Sequence, residues 1–235
     1  MNYYYIFSEN LNPYWNLAME QCLFSYVRDH TAILFLWQNE HTIVIGRNQN
    51  IYAECRVQAF LGDGGILARR RSGGGAVYHD RGNLNYSLIC SASEDTGYPY
   101  QILLRNVLEG YGVQTEFNGR NDLTAGGRKF SGNAVYRDDR MICRHGTLLV
   151  CTDLDKMSAY LTPDVGKLAR NHVQSVSARV INLHSLSEKI TVSSICRTMI
   201  ELLQAKCLVT GPQEDEIRKL AKVYAGADWV YGGVL

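Results

Sequence analysis

Runs of apolar residues along the chain predict several strands, most of them in its first two-thirds. AILFLW at 32–37 and TIVIG at 42–46 are separated by four polar residues, and KFSGNAVY at 129–136 and MICRHGTLLVC at 141–151 are separated by RDDR. Each pair predicts two strands joined by a tight turn. Further strands are expected at about 3–7, 66–69, 84–90 and 112–117.

Helical patterns lie between these strands and fill the last third of the chain. Asn12 as N-cap and Pro13 in the first turn predict a helix over about 14–28. Further helices are expected at about 51–61, 99–110, 153–160, 191–206 and 213–225. Strands joined mostly by short turns, with helices packed around them, favour an α+β fold in a single domain, residues 1–235.

Composition describes an ordinary soluble globular protein. The chain has 235 residues, of which 46% are hydrophobic and 20% are charged, with a net charge of +1. This balance gives no reason to expect a nucleic-acid or membrane surface. The first residues lack a signal-peptide pattern, and the longest apolar run is too short to span a bilayer. We therefore expect a cytoplasmic protein.

The seven cysteines are scattered without a CxxC pair or metal-ligand spacing, so we expect free, mostly buried thiols. Cys143 and His145 are two apart on a predicted strand and point to one face, which permits a Cys/His nucleophile. The pattern supplies no third orienting group, and a lone histidine at such a position is more often structural.

A glycine-rich stretch, RRRSGGGAVYHDRGNLNYS at 69–87, carries the first chemical signal. Glycines allow backbone N–H groups to approach an anion, and arginines supply donors for phosphate or carboxylate. The alternative is a glycine-rich turn with a solvated basic flank. The stretch matches neither the Walker A pattern nor the dinucleotide fingerprint.

The second signal is NGRNDLTAGGRKFSGNA at 118–134. Lys129, on a predicted strand beside glycines, can direct a compact positive charge at a reacting carboxylate or phosphate oxygen. Asp122 could hold Mg²⁺ or orient that lysine. The alternative is a hairpin with an exposed Lys/Asp surface.

Together these stretches resemble the lipoate-protein ligase family over nearly the whole chain. Its pattern RRxSGGGxVxHDxGNxN is matched from Arg69 to Asn85, and GRNDL with GRKxSGxA is matched at 119–123 and 127–134. Further matches are NLAMEQ at 16–21, IGRNQN at 45–50, HGTLL at 145–149, SVSARVINL at 175–183 and DWVYG at 228–232.

The resemblance implies the α+β fold shared with biotin ligases, with mixed β-sheets surrounded by helices. It also implies a two-step reaction. Lipoate and ATP, with Mg²⁺ as counter-ion, give lipoyl-AMP and pyrophosphate, and a lysine of an acceptor domain then takes the lipoyl group. Many bacterial members carry a C-terminal accessory domain that we expect to be absent here.

The resemblance also implies residue roles. Lys129 would be catalytic and bridge the lipoyl carbonyl and the phosphate, and Asp122 is the candidate Mg²⁺ ligand. The residues expected at ATP or the adenylate are Arg70, Gly75, Ala76, Val77, Tyr78, Asn121, Asp122 and Lys129. Those expected at lipoate are Ser72, Gly73, Gly74, His79, Lys129 and His145.

Two positions carry no such role. Arg71 falls at a variable position of the pattern and is expected to be solvated. Arg144 replaces the first of two histidines that the family often shows before GTLL, which would alter how the loop over the adenylate closes.

The implied partners are apo lipoyl domains of 2-oxoacid dehydrogenases and the glycine cleavage H protein, together with a separate accessory protein for activation. Three alternatives stay open: a lipoyl or octanoyl transferase acting without ATP or from preformed lipoyl-AMP, a non-catalytic carrier-binding module, and a biotin ligase. The loop EFNGRNDL lacks the cysteine of the transferases, and the GRGRxGR-type loop of biotin ligases is absent.

Overall fold

Two mixed β-sheets form the framework of the protein. The computed structural model describes residues 1–95, 99–118, 122–162 and 179–232. The large sheet has the order β11-β1-β2-β6-β10-β9-β8-β7, and the small sheet the order β4-β3-β5. The strands are β1 (Asn2–Phe7), β2 (Thr31–Trp37), β3 (Thr42–Ile45), β4 (Ile66–Arg69), β5 (Val77–His79), β6 (Asn83–Ser91), β7 (Glu116–Asn118), β8 (Asp122–Ala125), β9 (Arg128–Arg137), β10 (Met141–Leu149) and β11 (Lys206–Cys207).

Helices pack against the faces of both sheets. They are α1 (Pro13–Cys22), α2 (Ile51–Glu54), α3 (Val57–Gly62), α4 (Pro99–Glu109), α5 (Leu154–Tyr160), α6 (Val192–Leu203) and α7 (Glu214–Tyr224), with 3-10 turns at Leu23–Tyr26 and Leu183–Ser185 and a π-helical turn at Asp228–Gly232. This arrangement confirms the expected α+β class. No helix in the described ranges has the length and apolar character needed to cross a bilayer.

Strand β2 explains why its sequence is a continuous apolar run. Ala32, Leu34 and Leu36 pack into the core beneath α4 and α6. Ile33, Phe35 and Trp37 point to the opposite face and pack with residues of α1 and α7. Because successive side chains of a strand alternate between faces, a strand covered on both sides reads as uninterrupted hydrophobicity.

The two strand pairs predicted from the sequence have different outcomes. Strands β9 and β10 are paired antiparallel, which confirms the expected hairpin. Strands β2 and β3 do not pair, so the prediction that a tight turn joins them as partners is wrong. Strand β2 lies between β1 and β6, whereas β3 lies between β4 and β5 in the other sheet. The connection between them includes His41 at a φ of 42°, in the left-handed region.

Three predicted helices are shorter or broken. The first begins at Pro13 as expected, with the Asn12 side chain accepting from the N–H of Tyr14 and Trp15, but ends at Cys22. The helix expected at 51–61 is interrupted at Cys55, which is extended and pairs with Leu161. The helix expected to reach 206 ends at Leu203, and the short edge strand β11 follows.

The cysteines match the expectation of free and mostly buried thiols. All seven are free, and all but Cys151 and Cys207 are buried.

Candidate active site

Arg70 organises the glycine loop that connects β4 to β5. Its side chain is buried, at 8% exposure. Nη2 donates to the carbonyls of Gly73 at 2.7 Å and Gly75 at 2.9 Å, and Nη1 donates to that of Val44 at 3.1 Å. Nε donates to Ser72 Oγ at 3.1 Å. Burial lowers the pKa of Arg70 to about 10, so the guanidinium stays charged at neutral pH. These hydrogen bonds fold the loop, and they use guanidinium donors that would otherwise be free to bind a ligand.

Arg69 joins three segments through hydrogen bonds. It is 1% exposed, and Nε donates to the carbonyls of Trp229 at 3.1 Å and Val230 at 3.0 Å. The indole N–H of Trp229 donates back to the Arg69 carbonyl at 2.8 Å. Nη1 donates to the carbonyls of Gly46, Arg47 and Gln49. The matched motifs IGRNQN and DWVYG therefore meet at this one guanidinium.

Gly46 and Gly74 approach each other too closely for side chains. A Cβ on Gly46 would lie 1.8 Å from the Gly74 carbonyl oxygen. Gly74 itself has a φ of 95°, which favours glycine. The glycine requirement at these two positions thus comes from backbone packing between two loops.

A buried chain of polar groups runs behind the loop. Glu20 of α1 lies 2.8 Å from His145 Nδ1, and His145 Nε2 lies 2.6 Å from Ser72 Oγ. Ser87 donates to Glu20 at 2.5 Å. Burial by itself would raise the pKa of Glu20, but pairing with His145 and the hydrogen bond from Ser87 hold that pKa below its ordinary value. Sequence reasoning missed Glu20, because its partner is 125 residues away.

His79 is buried and neutral. Asn16 Nδ2 donates to Asn39 Oδ1 at 3.0 Å, which turns Asn39 Nδ2 toward His79 Nδ1 at 3.1 Å. The proton of the neutral ring is therefore assigned to Nε2, which has no partner among the described residues. Burial first, then the charge of Arg70 and the proximity of His145, lower the pKa of His79 to about 3. Trp37 packs edge-to-face with the ring.

Lys129, near the start of β9, and Asp122, at the start of the adjacent strand β8, form an ion pair. Nζ lies 2.8 Å from Oδ1, and the two side chains are 33% and 37% exposed. A Cβ on Gly132 would lie 3.0 Å from Lys129 Nζ, so this glycine leaves room for the ammonium group. The Lys129 carbonyl accepts from the N–H of Ile181 at 2.9 Å, and this hydrogen bond joins β9 to the segment that contains Ile181.

Glu54, at the end of α2, is a second carboxylate that sequence reasoning missed. Its Oε2 accepts from the backbone N–H of Ala76 at 2.9 Å. Its carbonyl accepts from the N–H of Thr162 at 2.9 Å. The side chain therefore reaches from α2 to the glycine loop.

A cavity of about 320 Å³ brings most of these groups together. Of the residues expected at the site, the lining includes Arg70, Gly74, Gly75, Ala76, Val77, Tyr78, His79, Asp122, Lys129 and His145, and it also includes Glu54 and Trp37. Ser72 and Gly73 are not in this lining; Ser72 is buried beneath it, bonded to His145. Asn121 lies outside the described residues.

Three side chains near the site differ from the sequence-based interpretation. Arg71 is not simply solvated, because its guanidinium stacks over the Tyr136 ring at 4.1 Å. Arg144 points away from His145 and pairs with Asp95 through two hydrogen bonds of 3.0 and 2.6 Å. Cys143 is fully buried, and burial together with the nearby Glu20 raises the pKa of its thiol well above its ordinary value. A buried, protonated thiol is a poor nucleophile.

Comparison with known proteins identifies the family of the chain. Residues 12–204 match the model of the lipoyl protein ligase A/B catalytic domain. Lipoate-protein ligase A of Blochmanniella floridana is 41% identical over 201 residues, which cover 83% of this chain and 59% of that protein. The chain thus matches about three-fifths of the length of this relative.

Solved structures show the same fold. P. falciparum LipL1 in complex with lipoate superposes with a TM-score of 0.81 at 28% identity, covering 100% of this chain and 75% of that one. A lipoate-protein ligase A bound with ATP gives 0.80 at 24% identity, covering 99% of both chains. The chain therefore belongs to the family of lipoyl protein ligase A/B catalytic domains.

Proposed function

We propose that the protein is a lipoate-protein ligase. The lipoate carboxylate attacks the α-phosphorus of ATP and gives lipoyl-AMP and pyrophosphate. The amine of an acceptor lysine then attacks the lipoyl carbonyl, loses a proton and forms an amide as AMP leaves. The observation that carries the proposal is the placement of Lys129 and the glycine loop on one cavity. The name of the 41% identical relative and the lipoate held by LipL1 support it.

Charge is the main requirement of the first step, because it brings two anions together. Among the cations that line the cavity we assign this role to Lys129, whose ammonium group pairs with Asp122. We assign nucleotide binding to the segment Gly75 to Tyr78 and to Arg70, which would act through the loop that it folds. Gly74, His79 and His145 line the cavity and are assigned to lipoate, with Lys129 between the two ligands. Ser72, which is bonded to His145, and Gly73 are assigned to the same ligand from behind this lining.

The residues present fit Mg²⁺ only in part. Mg²⁺ is usually held by one or two carboxylates together with substrate phosphates. Asp122 offers one carboxylate on the cavity, although Oδ1 is engaged by Lys129. Asp122 is not part of the one group of three potential metal ligands found in the described chain, Glu20, Cys143 and His145. We therefore propose Asp122 as one ligand beside the phosphates, where Mg²⁺ would offset their charge.

The ATP-independent transferase is the less favoured candidate. Transfer from an acylated carrier through a covalent thioester needs a cysteine at the acyl group, and within the described chain no cysteine lines the cavity. We further propose that residues 1–235 act as one catalytic domain in the cytoplasm. The proposed acceptors are apo lipoyl domains of 2-oxoacid dehydrogenases and the glycine cleavage H protein, with a separate accessory protein as a candidate partner for activation.

The test is Lys129→Ala, with Lys156→Ala on the exposed face of α5 as the matched control. Lipoate-dependent release of AMP and labelling of an apo lipoyl domain should fall about 10²- to 10³-fold in Lys129→Ala, because one preorganised cation is lost. The control should keep wild-type rates. Unchanged activity in Lys129→Ala would contradict the assigned role.

A second arm supplies synthetic lipoyl-AMP in place of lipoate and ATP. Labelling in both arms indicates a complete ligase. Labelling with lipoyl-AMP alone indicates that activation requires an accessory protein. No labelling of any acceptor in either arm would refute the ligase proposal.

A further inference from the structure

The hydrogen bonds of Arg70 fix which way the glycine loop turns its N–H groups. The guanidinium takes the carbonyls of Gly73 and Gly75. In a trans peptide the carbonyl and the following N–H point in opposite directions. The N–H groups of Gly74 and Ala76 therefore point away from Arg70. These two N–H groups, on alternate residues beside the positive φ of Gly74, form a pair of backbone donors that can bind an anion, which we call the nest.

One of these N–H groups already donates to an anion, which is a carboxylate of the protein itself. The Glu54 carboxylate accepts from Ala76 at 2.9 Å. A Cβ on Gly75 would lie 3.1 Å from the same oxygen, so glycine allows this approach. The N–H of Gly74 has no acceptor within the described part of the chain. The nest is thus half filled by a carboxylate.

The position of Glu54 is set by its backbone. Asn50 caps the short helix α2 by accepting from the N–H of Tyr52. The Glu54 carbonyl is held by Thr162, and the following residue, Cys55, pairs with Leu161. The carboxylate is the movable end of an anchored residue, and it lines the same cavity as Lys129.

We propose that Glu54 is an internal anion that occupies the glycine loop and is displaced from the Ala76 N–H by a phosphate group of the bound nucleotide. A carboxylate and a phosphate repel each other and cannot share one N–H donor at full strength. Glu54 therefore occupies the Ala76 N–H when no nucleotide is bound, and it lowers nucleotide affinity. The identity of the displacing ligand rests on the proposed ligase function.

The experiment measures binding of Mg·ATP and of inorganic pyrophosphate by titration calorimetry to the wild type, Glu54→Gln and Glu54→Ala. Both variants remove the competing charge, so both should bind each ligand about three- to tenfold more tightly. Glu201→Gln, on the exposed face of α6, is the control for net charge and should bind like the wild type. The backbone amide resonance of Ala76 should shift on ligand addition in the wild type and start from a different position in Glu54→Ala.

Other outcomes overturn the proposal. Weaker binding in Glu54→Ala with normal binding in Glu54→Gln would make Glu54 a positioning residue for the loop. Weaker binding in both variants would make the carboxylate a direct ligand contact, and unchanged binding would deny any competition. The pyrophosphate arm tests the displacement even if ATP supports no lipoate activation, so this inference and the ligase proposal can fail separately.

Discussion

Burial of His79 contributes a pH-dependent part to the stability of the protein, and one substitution should remove that part. The ring is 2% exposed, and its pKa is lowered to about 3, first by burial and then by Arg70 and His145. In the unfolded chain the imidazole titrates near its ordinary pKa of ~6.5. His79→Asn keeps an oxygen that can accept from Asn39 and removes the titrating group.

The magnitude follows from proton linkage. Between pH 7.5 and 5.0 the unfolded chain binds a proton at this histidine, whereas the folded protein does not until the pH approaches 3. The unfolded state binds more protons, so stability falls as the pH is lowered. From the two pKa values, the loss at pH 5.0 relative to pH 7.5 is about 2 kcal/mol.

The assay is urea unfolding of the wild type and His79→Asn at both pH values, which lie above the ordinary carboxyl range. The substitution has its own cost from lost packing, and that cost cancels when the change between the two pH values is compared. We expect the wild type to lose about 2 kcal/mol more than the variant over this interval. An equal loss in both proteins would show that His79 takes up a proton as readily when folded and would refute the reasoning.

The remaining predictions concern the two loops around the cavity. Gly46→Ala should lower the thermal unfolding midpoint strongly, because its Cβ would lie 1.8 Å from the Gly74 carbonyl oxygen. Gly73→Ala is the control and should be tolerated, since a Cβ there meets no atom within 4 Å. Similar midpoints in the two variants would contradict the close approach of Gly46 and Gly74. Arg69→Met should destabilise the protein by about 3 kcal/mol or more in denaturant unfolding, since it leaves buried carbonyls unpaired, with exposed Arg140→Met as control. A cost below ~1 kcal/mol would mean that water replaces the guanidinium.

Local patterns predicted the elements whose partners are close in sequence. The pair β9–β10 and the start of the first helix at Pro13 follow from turn residues and a cap, which act over a few positions. The pairing of β2 and β3 failed because both strands are buried and apolar, and nothing in such runs specifies the partner strand. Cys55 broke a predicted helix through its pairing with Leu161, more than a hundred residues away.

The candidate site shows the same division. The glycine loop, Lys129 and Asp122 could be found because their residue types are unusual at that spacing. Glu20 and Glu54 could not, since a glutamate within a helix carries no local sign that it will reach a distant histidine or a backbone N–H. Their contacts exist only once the helices have packed against the sheets.

Three consecutive arginines precede the glycines, yet their side chains make contacts in three separate places. Arg69 binds carbonyls behind the small sheet, Arg70 binds those of the loop, and Arg71 stacks on Tyr136. A guanidinium whose donors are used by backbone carbonyls has few left for a ligand. Under the proposed function, the loop attracts an anion chiefly through the N–H groups that Arg70 turns outward, and Lys129 contributes a charged side chain on the cavity. It follows that Arg70→Lys, which keeps the charge and loses the forked donors, should impair nucleotide binding nearly as much as Arg70→Ala. A lysine variant with wild-type affinity in calorimetry would show instead that charge, and not loop geometry, is what Arg70 supplies.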